Sequence, residues 1–326
     1  MRFIPRFLLC TFAAAVAIAA APAAAQQYPT KTVTIIVSYP PGGDTDALAR
    51  VFAEKLAPRL GQPVIVENRT GASGTIGNAY VSKAAPDGHT LLFTPNTIST
   101  APLVLKPGTG TPYDVVNGFT PIILIGTQSL FAVATTASGV KDMKGLVASA
   151  KAGKIANYAS PGSGSPMHIL GELFNKSAGV KLTQVPYRGS GPAINDMIGG
   201  HVSFMYTTLG PVAQHIASGK LVVLGVADSR RSPLQPGVPT FAEAGFKDAE
   251  VGAWQGFMGP KGMPDPIVKT LNGHLNEILK MPDVRERLNA LATIPRGGDP
   301  SEIGKRNADD YVRYGRVIKE FGIQAD

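Results

Sequence analysis

The chain has 326 residues and a net charge of +8, from 31 Lys and Arg against 23 Asp and Glu, with a single cysteine. Its basic residues are scattered, with no Lys/Arg run and no basic stripe interleaved with aromatics, which excludes nucleic acid as a partner; a mildly basic surface suits attraction of small anions and solubility alike. One thiol excludes a disulfide framework and a thiolate metal site, and roughly 300 residues are enough for two domains with cores of their own.

Residues 1–25 read as a secretory signal. Arg2 and Arg6 form a positive start, Phe7 to Ala20 is almost wholly apolar, and Ala23-Ala24-Ala25 offers a small-residue cleavage pattern before Gln26. Cleavage near Ala25 would place the protein in the periplasm. The only cysteine, Cys10, lies inside this segment, and no later stretch approaches a twenty-residue apolar run.

Strands and helices then alternate. Val33–Ser38 is a β-branched run that ends in Tyr39-Pro-Pro-Gly-Gly43, and Thr45–Leu60 reads as a helix stopped by Gly61. Val64–Glu67 is a second strand. The Gly-rich turn Gly71–Gly77 leads to a helix over 78–84, Thr90–Phe93 is a third strand, and Pro95–Ser99 a polar turn. After a reversal, Pro121–Ile125 is again a strand. The pattern restarts with strand Phe131–Thr135, helix Met143–Lys151 and strand Ile155–Ala159. The Gly/Ser turn Ser160–Pro166 precedes helix His168–Ser177. Strand Thr183–Pro186 and turn Tyr187–Pro192 precede helix Ala193–Ile198. Val202–Tyr206 and Leu221–Ala227 are strands around a helix over Val212–Ser218, and the proline-rich Arg230–Phe246 reads as an extended excursion. Strand Gln255–Gly259 and helices Pro266–Lys280, Pro282–Leu291 and Ser301–Phe321 follow, with Ser301 as a cap. This alternation is that of an α/β protein with mainly parallel sheets.

The chemistry concentrates at strand ends. Strand, glycine turn and helix start at Val33–Asp46 make an anion cradle, because glycine admits a close backbone and the helix start presents unpaired N–H groups. An ordinary strand-to-helix connection capped by Asp44, Thr45 or Asp46 is the plainer reading of the same residues. Ser38, Asn96, Thr97, Ser160, Ser163, Ser165, Ser190, Thr207 and Thr208 share this position at or just after strands. Each alone is a turn or cap residue; together they are donors for a small anion. Tyr39, Tyr158, Tyr187 and Tyr206 are candidate pocket walls, Trp254 a wall or a core anchor, and Arg188 a partner for a carboxylate or a solvated cation. In open α/β sheets ligands gather outside strand carboxyl ends, and two such lobes would face each other across one cleft. Catalytic patterns are missing. No Gly-x-Ser-x-Gly elbow, Walker loop or dinucleotide fingerprint is present, and the five histidines have no metal-ligand spacing. No cofactor is expected. His168 and Glu172, one helical turn apart, read as an acid–base pair or a surface hydrogen bond.

Taken in order, Tyr28-Pro-Thr-Lys-Thr-Val-Thr-Ile-Ile-Val37, Tyr39–Asp46, Leu60-Gly-Gln-Pro-Val-Ile-Val-Glu-Asn-Arg69, Gly71–Gly74, Ala85–Leu92, Gly162–Ser165 with His168, Val185–Ala193, Gly199–Val202, Arg231–Pro233 and Val238–Gly245 resemble one family. It is the extracytoplasmic substrate-binding proteins of tripartite tricarboxylate transporters, the Bug-type receptors. The resemblance runs from about Tyr28 to the C-terminus. It implies a type II-like, two-lobed periplasmic binding protein, each lobe a mixed sheet flanked by helices, with the ligand cleft between the lobes. Lobe one would hold 26–126 plus 251–326 and lobe two 127–250, with the second hinge somewhere in 227–255. It implies a carboxylated ligand, water-bridged contacts, two membrane subunits of a secondary transporter as partners or, alternatively, a sensor kinase, and a monomer. On the family pattern the loop Pro41–Asp46 is one jaw, and the turns Ser160–Ser165 and Tyr187–Pro192 form the other. The candidate ligand-binding set is Tyr39, Pro41, Gly42, Gly43, Asp44, Thr45, Asp46, Asn96, Thr97, Ser160, Ser163, Gly164, Ser165, Tyr187, Arg188, Gly189, Thr207 and Thr208. One departure stands out. Where members of the family often carry an acidic or amide residue after the strand ending at Tyr206, this chain has Thr207-Thr208. The loss of an acceptor for an ammonium group favours a dicarboxylate, hydroxy acid or aromatic acid over an amino acid. The competing readings are a secreted serine hydrolase using Ser163 or Ser165 with His168, and a ligand-sensing subunit of a signalling system.

Overall fold

The computed structural model describes residues 28–105 and 113–324; the expected signal segment and Cys10 lie outside them. The first βα series is β1 (Val33–Val37), α1 (Asp44–Leu60), β2 (Val64–Asn68), α2 (Thr75–Ser82), β3 (Thr90–Pro95), α3 (Thr97–Val104) and β4 (Phe119–Ser129). The second is β5 (Phe131–Thr135), α4 (Met143–Lys151), β6 (Asn157–Ser160), α5 (Pro166–Ala178), β7 (Thr183–Pro186), α6 (Ser190–Ile198), β8 (Phe204–Thr207), α7 (Ala213–Ala217) and β9 (Leu221–Val226). The chain ends with β10 (Gly252–Pro260), α8 (Asp265–Ile278), α9 (Pro282–Ala290), β11 (Ile294–Pro295) and α10 (Ser301–Phe321).

These strands form two sheets, one per lobe. The first has the order β11-β4-β10-β3-β1-β2, with β1 parallel to β2 and β3, and β10 antiparallel to β3 and β4. The second has the order β7-β6-β8-β5-β9, with β6 parallel to β7 and β8, and β5 antiparallel to β8 and β9. Both are mixed sheets with helices on their faces. β1 shows why it sits centrally: Val33, Ile35 and Val37 face Leu48, Phe52 and Leu56 of α1, while Ile36 faces the opposite layer with Val81, Ile98 and Trp254. A strand covered on both faces reads as an unbroken apolar run. In the second lobe Phe174, Phe204, Tyr206 and Phe241 fill one face, and Val133, Met197 and Met205 the other.

The chain crosses between the sheets at Leu130, and again between Val226 and Gly252. These crossings lie side by side, because the Ala227 N–H donates to the Leu130 carbonyl at 2.8 Å and the Val251 N–H to that of Ala227 at 3.2 Å. α10 spans both lobes. Its Ile303 packs in the first lobe, whereas Tyr314 and Ile318 join the second lobe's core.

Several boundaries differ from the sequence reading. Pro95–Ser99 is not a turn: Thr97 starts α3, a helix poor in intrinsic propensity but rich in buried faces, with Ile98, Ala101 and Val104 in the core. Packing outweighs propensity there. Pro102 removes the N–H that would bond the Ile98 carbonyl, and the Tyr113 hydroxyl donates to it instead at 3.1 Å. The helix after Gly71–Gly77 starts at Thr75, three residues early, out of a short 3₁₀ turn at Ala72–Gly74. Ser301 is the first residue of α10, and its N–H is met by Asp299 Oδ1 at 2.8 Å. Gly61 does end α1, in the left-handed conformation.

Candidate functional site

Four helices begin where the carboxyl ends of the two sheets face each other. β1 feeds α1 through Tyr39–Gly43, β3 feeds α3 at Asn96, β6 feeds α5 through Pro161–Ser165, and β7 feeds α6 through Tyr187–Gly189. One cavity lies among these four starts. Ser165 caps α5, its Oγ accepting the His168 N–H at 3.2 Å. The N-cap residues of α1, α3 and α6 supply no side-chain cap, although at α1 the Thr45 N–H is taken by Asp44 Oδ1 at 2.9 Å. Helix starts carry a partial positive charge and unpaired N–H groups, so three uncapped starts on one cavity make an anion-binding environment from backbone alone.

The first lobe contributes Tyr39, Pro40, Pro41, Gly43, Asp44, Thr45, Ser73, Asn96, Thr97, Gln128 and Gln255 to the cavity lining. The second contributes Pro161, Gly162, Ser165, Met167, Arg188, Gly189, Ser190, Gly191, Pro192 and Thr208. Prolines recur because a wall of turns needs a fixed backbone, and with Met167 they give the cavity an apolar flank for a ligand body. The lobes touch across it. Thr208 Oγ1 donates to Asp44 Oδ2 at 3.3 Å, and Thr100 Oγ1 donates to the Gly164 carbonyl. Gly162 permits this approach: a Cβ there would lie 2.9 Å from Ser73 Oγ of the other lobe.

Of the eighteen residues singled out in the sequence, Tyr39, Pro41, Gly43, Asp44, Thr45, Asn96, Thr97, Ser165, Arg188, Gly189 and Thr208 line the cavity. The others stand behind it. Gly42 takes the left-handed conformation, φ +87°, that turns the loop, while Gly43 is extended. Asp46 is no helix cap in the usual sense but the anchor of the loop: its carboxylate accepts from Gly42 N–H (3.1 Å), Arg50 Nε and Nη2 (3.0 and 2.9 Å) and Asn68 Nδ2 (2.8 Å). Burial works to raise this carboxyl, but the Arg50, Asn68 and Gly42 hydrogen bonds outweigh it and hold it below the usual range. Ser160 Oγ accepts from Gln184 Nε2 at 2.7 Å, fixing the strand end. Ser163 is buried outside the lining, and the Gly164 N–H donates to His168 Nδ1 at 3.1 Å. The Tyr187 hydroxyl donates to Asp196 at 2.8 Å and is pushed up to about 12 by desolvation and by that carboxylate. Thr207 ends β8 with its hydroxyl buried away from the cavity lining.

Among the described residues, Asp44 and Arg188 are the only acidic and basic ones in the lining. Arg188 is exposed at the rim, whereas Asp44 is half-buried and desolvation pushes its carboxyl up. Gln128 and Gln255 are the site residues the sequence reading missed. Gln255 Nε2 donates to Gln128 Oε1 at 3.0 Å, and both side chains are nearly fully buried. Their signal was a polar residue inside an otherwise buried strand. Trp254, one position before Gln255, points to the other face, where its Nε1 donates to Asp310 at 2.7 Å in the core.

Residues 48–323 match the family described as "Tripartite tricarboxylate transporter family receptor". The chain belongs to this family. Among the family's curated relatives, Protein BugT of Bordetella pertussis is 38% identical over 309 residues, covering 94% of each chain. Two solved structures align along nearly their whole length. An R. palustris protein solved with adipate has 31% identity and a TM-score of 0.85, covering 91% of this chain and 99% of the other. MatC from Rhodopseudomonas palustris, with bound malate, has 32% identity and a TM-score of 0.82, covering 89% and 100%. The tripartite tricarboxylate transporter receptors are binding proteins, not enzymes, and the serine residues here fit that role. Ser165 Oγ serves as a helix cap, and His168 Nδ1 accepts a backbone N–H. Among the described residues no helix is long and apolar enough to cross a membrane.

Proposed function

We propose that this receptor is exported to the periplasm, with its leader removed near Ala25, and captures a small carboxylate between its lobes for delivery to the membrane subunits of a tripartite tricarboxylate-type transporter. The observation that carries the reading is the convergence of the α1, α3 and α6 starts, none capped by the side chain of its N-cap residue, on one cavity between the lobes. Backbone donors and helix ends bind a carboxylate without a matched countercharge in the pocket. The adipate and malate of the two solved relatives are ligands of this class. Lobe one takes 26–126 and 251–326 and lobe two 127–250, a division that falls close to the crossings near Leu130 and Val251, although β4 stays in the first sheet as far as Ser129.

A thermal-shift screen of purified protein against C3–C8 mono- and dicarboxylates tests this. A binder raises the melting temperature in a concentration-dependent way, as expected when ligand binds only the native state. Stabilisation by sugars or by cationic ligands alone, with none by any carboxylate, would overturn it.

A further inference from the structure

The cavity has an end that the carboxylate-binding helix starts do not explain. Asp44 places an acidic group inside a site built for an anion, and among the described residues no Lys or Arg forms an ion pair with it. Its oxygens instead accept from the Thr45 N–H at 2.9 Å, the Thr208 hydroxyl at 3.3 Å and, at the limit of hydrogen bonding, Gln255 Nε2 at 3.5 Å. These three neutral donors work against the burial that pushes the carboxyl up, and burial is the larger effect, so a cationic or hydroxyl donor from a ligand is what would complete the site. Gln255, whose amide nitrogen reaches Asp44, keeps its Oε1 as a buried acceptor without a hydrogen-bond partner, and Asn96, which lines the same cavity and donates its Nδ2 to the Gly252 carbonyl and Asp310, keeps its Oδ1 unmet; both residues are at no more than 2% exposure. Buried acceptors are nearly always satisfied, so an unmet group next to a cavity calls for a donor from outside the chain. The site therefore has two characters, with N–H donors at the helix starts and surplus acceptors at Asp44, Gln255 and Asn96.

We propose that Asp44 is a specificity-determining residue, accepting an ammonium or hydroxyl group carried by the ligand, so that the receptor selects carboxylates bearing such a donor over plain carboxylates of the same skeleton. The inference rests on the carboxylate reading above and narrows it. It also removes the ground for disfavouring amino acids. The acidic acceptor absent at Thr207-Thr208 is supplied from the opposite lobe, and Thr208 serves to hold it. A plain dicarboxylate would bring a second negative group toward Asp44 and leave Gln255 Oε1 and Asn96 Oδ1 unmet. A site built to hydrogen-bond a polar group discriminates strongly against the analogue lacking it.

The test is calorimetry on matched triplets: succinate, malate and aspartate; glutarate, 2-hydroxyglutarate and glutamate; propionate, lactate and alanine. Wild-type protein should bind the hydroxy or amino member of a triplet at least about tenfold more tightly than the plain member. Asp44→Asn keeps the shape and an acceptor oxygen but removes the charge. It should reduce that ratio severalfold or more, with an unchanged circular dichroism spectrum and melting temperature showing that the fold is intact. A plain acid binding as tightly as its donor-bearing partners, or a ratio unmoved by Asp44→Asn, overturns the role of Asp44 and leaves the carboxylate reading standing. Binding by no acid in any triplet overturns both.

Discussion

Asp46→Ala removes the anchor of the loop that forms one jaw. The lost carboxylate leaves the Gly42 N–H and an Asn68 amide hydrogen without their partner, and frees Arg50. Arg50 is about half exposed and its share is small after solvent screening. The two donors dominate, but Gly42 is exposed and Asn68 only part-buried, so water meets part of the loss and they are worth about 0.5–1 kcal/mol each, about 1–2 kcal/mol in total. For a protein of this size that corresponds to a melting temperature lower by roughly 2–5 °C. Asn68 Nδ2 also donates to the Tyr39 carbonyl, so the Tyr39–Gly43 turn loosens and ligand affinity falls with stability. The pH dependence has a defined sign. Asp46 is held below its ordinary value in the fold, so its contribution is complete above the unfolded carboxyl pKa, near 4, and is lost as pH falls through the lower folded value. The gap between wild type and variant should be full at pH 7 and shrink below pH 4. Differential scanning fluorimetry at both pH values reads it. Equal melting temperatures at pH 7, or a gap that widens in acid, would refute the assigned network.

Tyr113→Phe removes the donor that replaces the missing Pro102 N–H at the Ile98 carbonyl, and should lower stability by about 1–2 kcal/mol in urea denaturation; a neutral result would show that water fills the role. Gly164→Ala adds a methyl 2.8 Å from Val104 Cγ2 at a φ of +73°, so ligand affinity should drop about five- to thirtyfold by calorimetry, and an unchanged affinity would show that the lobes need not meet there. Arg188→Met at the exposed rim should weaken carboxylate binding less than tenfold. It should also flatten an already shallow salt dependence, whereas a steep wild-type salt slope would place the charge of Arg188, rather than backbone donors, at the centre of recognition.

The βα alternation was legible because buried parallel strands are unbroken apolar runs and glycines mark where strands hand over to helices. Tyr39–Gly43 is the clearest case, and its Gly42 does take the left-handed turn. α3 was not legible. Thr97-Ile-Ser-Thr100 has poor helix propensity and Pro102 reads as a breaker, so only the burial of Ile98 and Val104 and the distant Tyr113 hydroxyl make it a helix. The amide pair at the floor of the cleft was hidden for another reason. Gln128 and Gln255 meet only because β4 and β10 pair across about 127 residues of sequence, and period-2 alternation does not say which face of a two-sided strand meets a cavity. The two roles of the carboxylates also needed three dimensions. Asp44 and Asp46 are two residues apart and look equivalent in sequence. The helix turns Asp46 back to Arg50 and Asn68 and leaves Asp44 facing Thr208 of the other lobe.

The most direct measurement is a crystal structure of the protein with the tightest acid from the calorimetric screen. The account predicts that ligand between the lobes, with a carboxylate oxygen within about 3.2 Å of backbone N–H groups at the starts of α1, α3 or α6. Density for the acid in the wide charged hollow beside Asp228, Arg296 and Arg306 instead, with the helix starts unliganded, would contradict it.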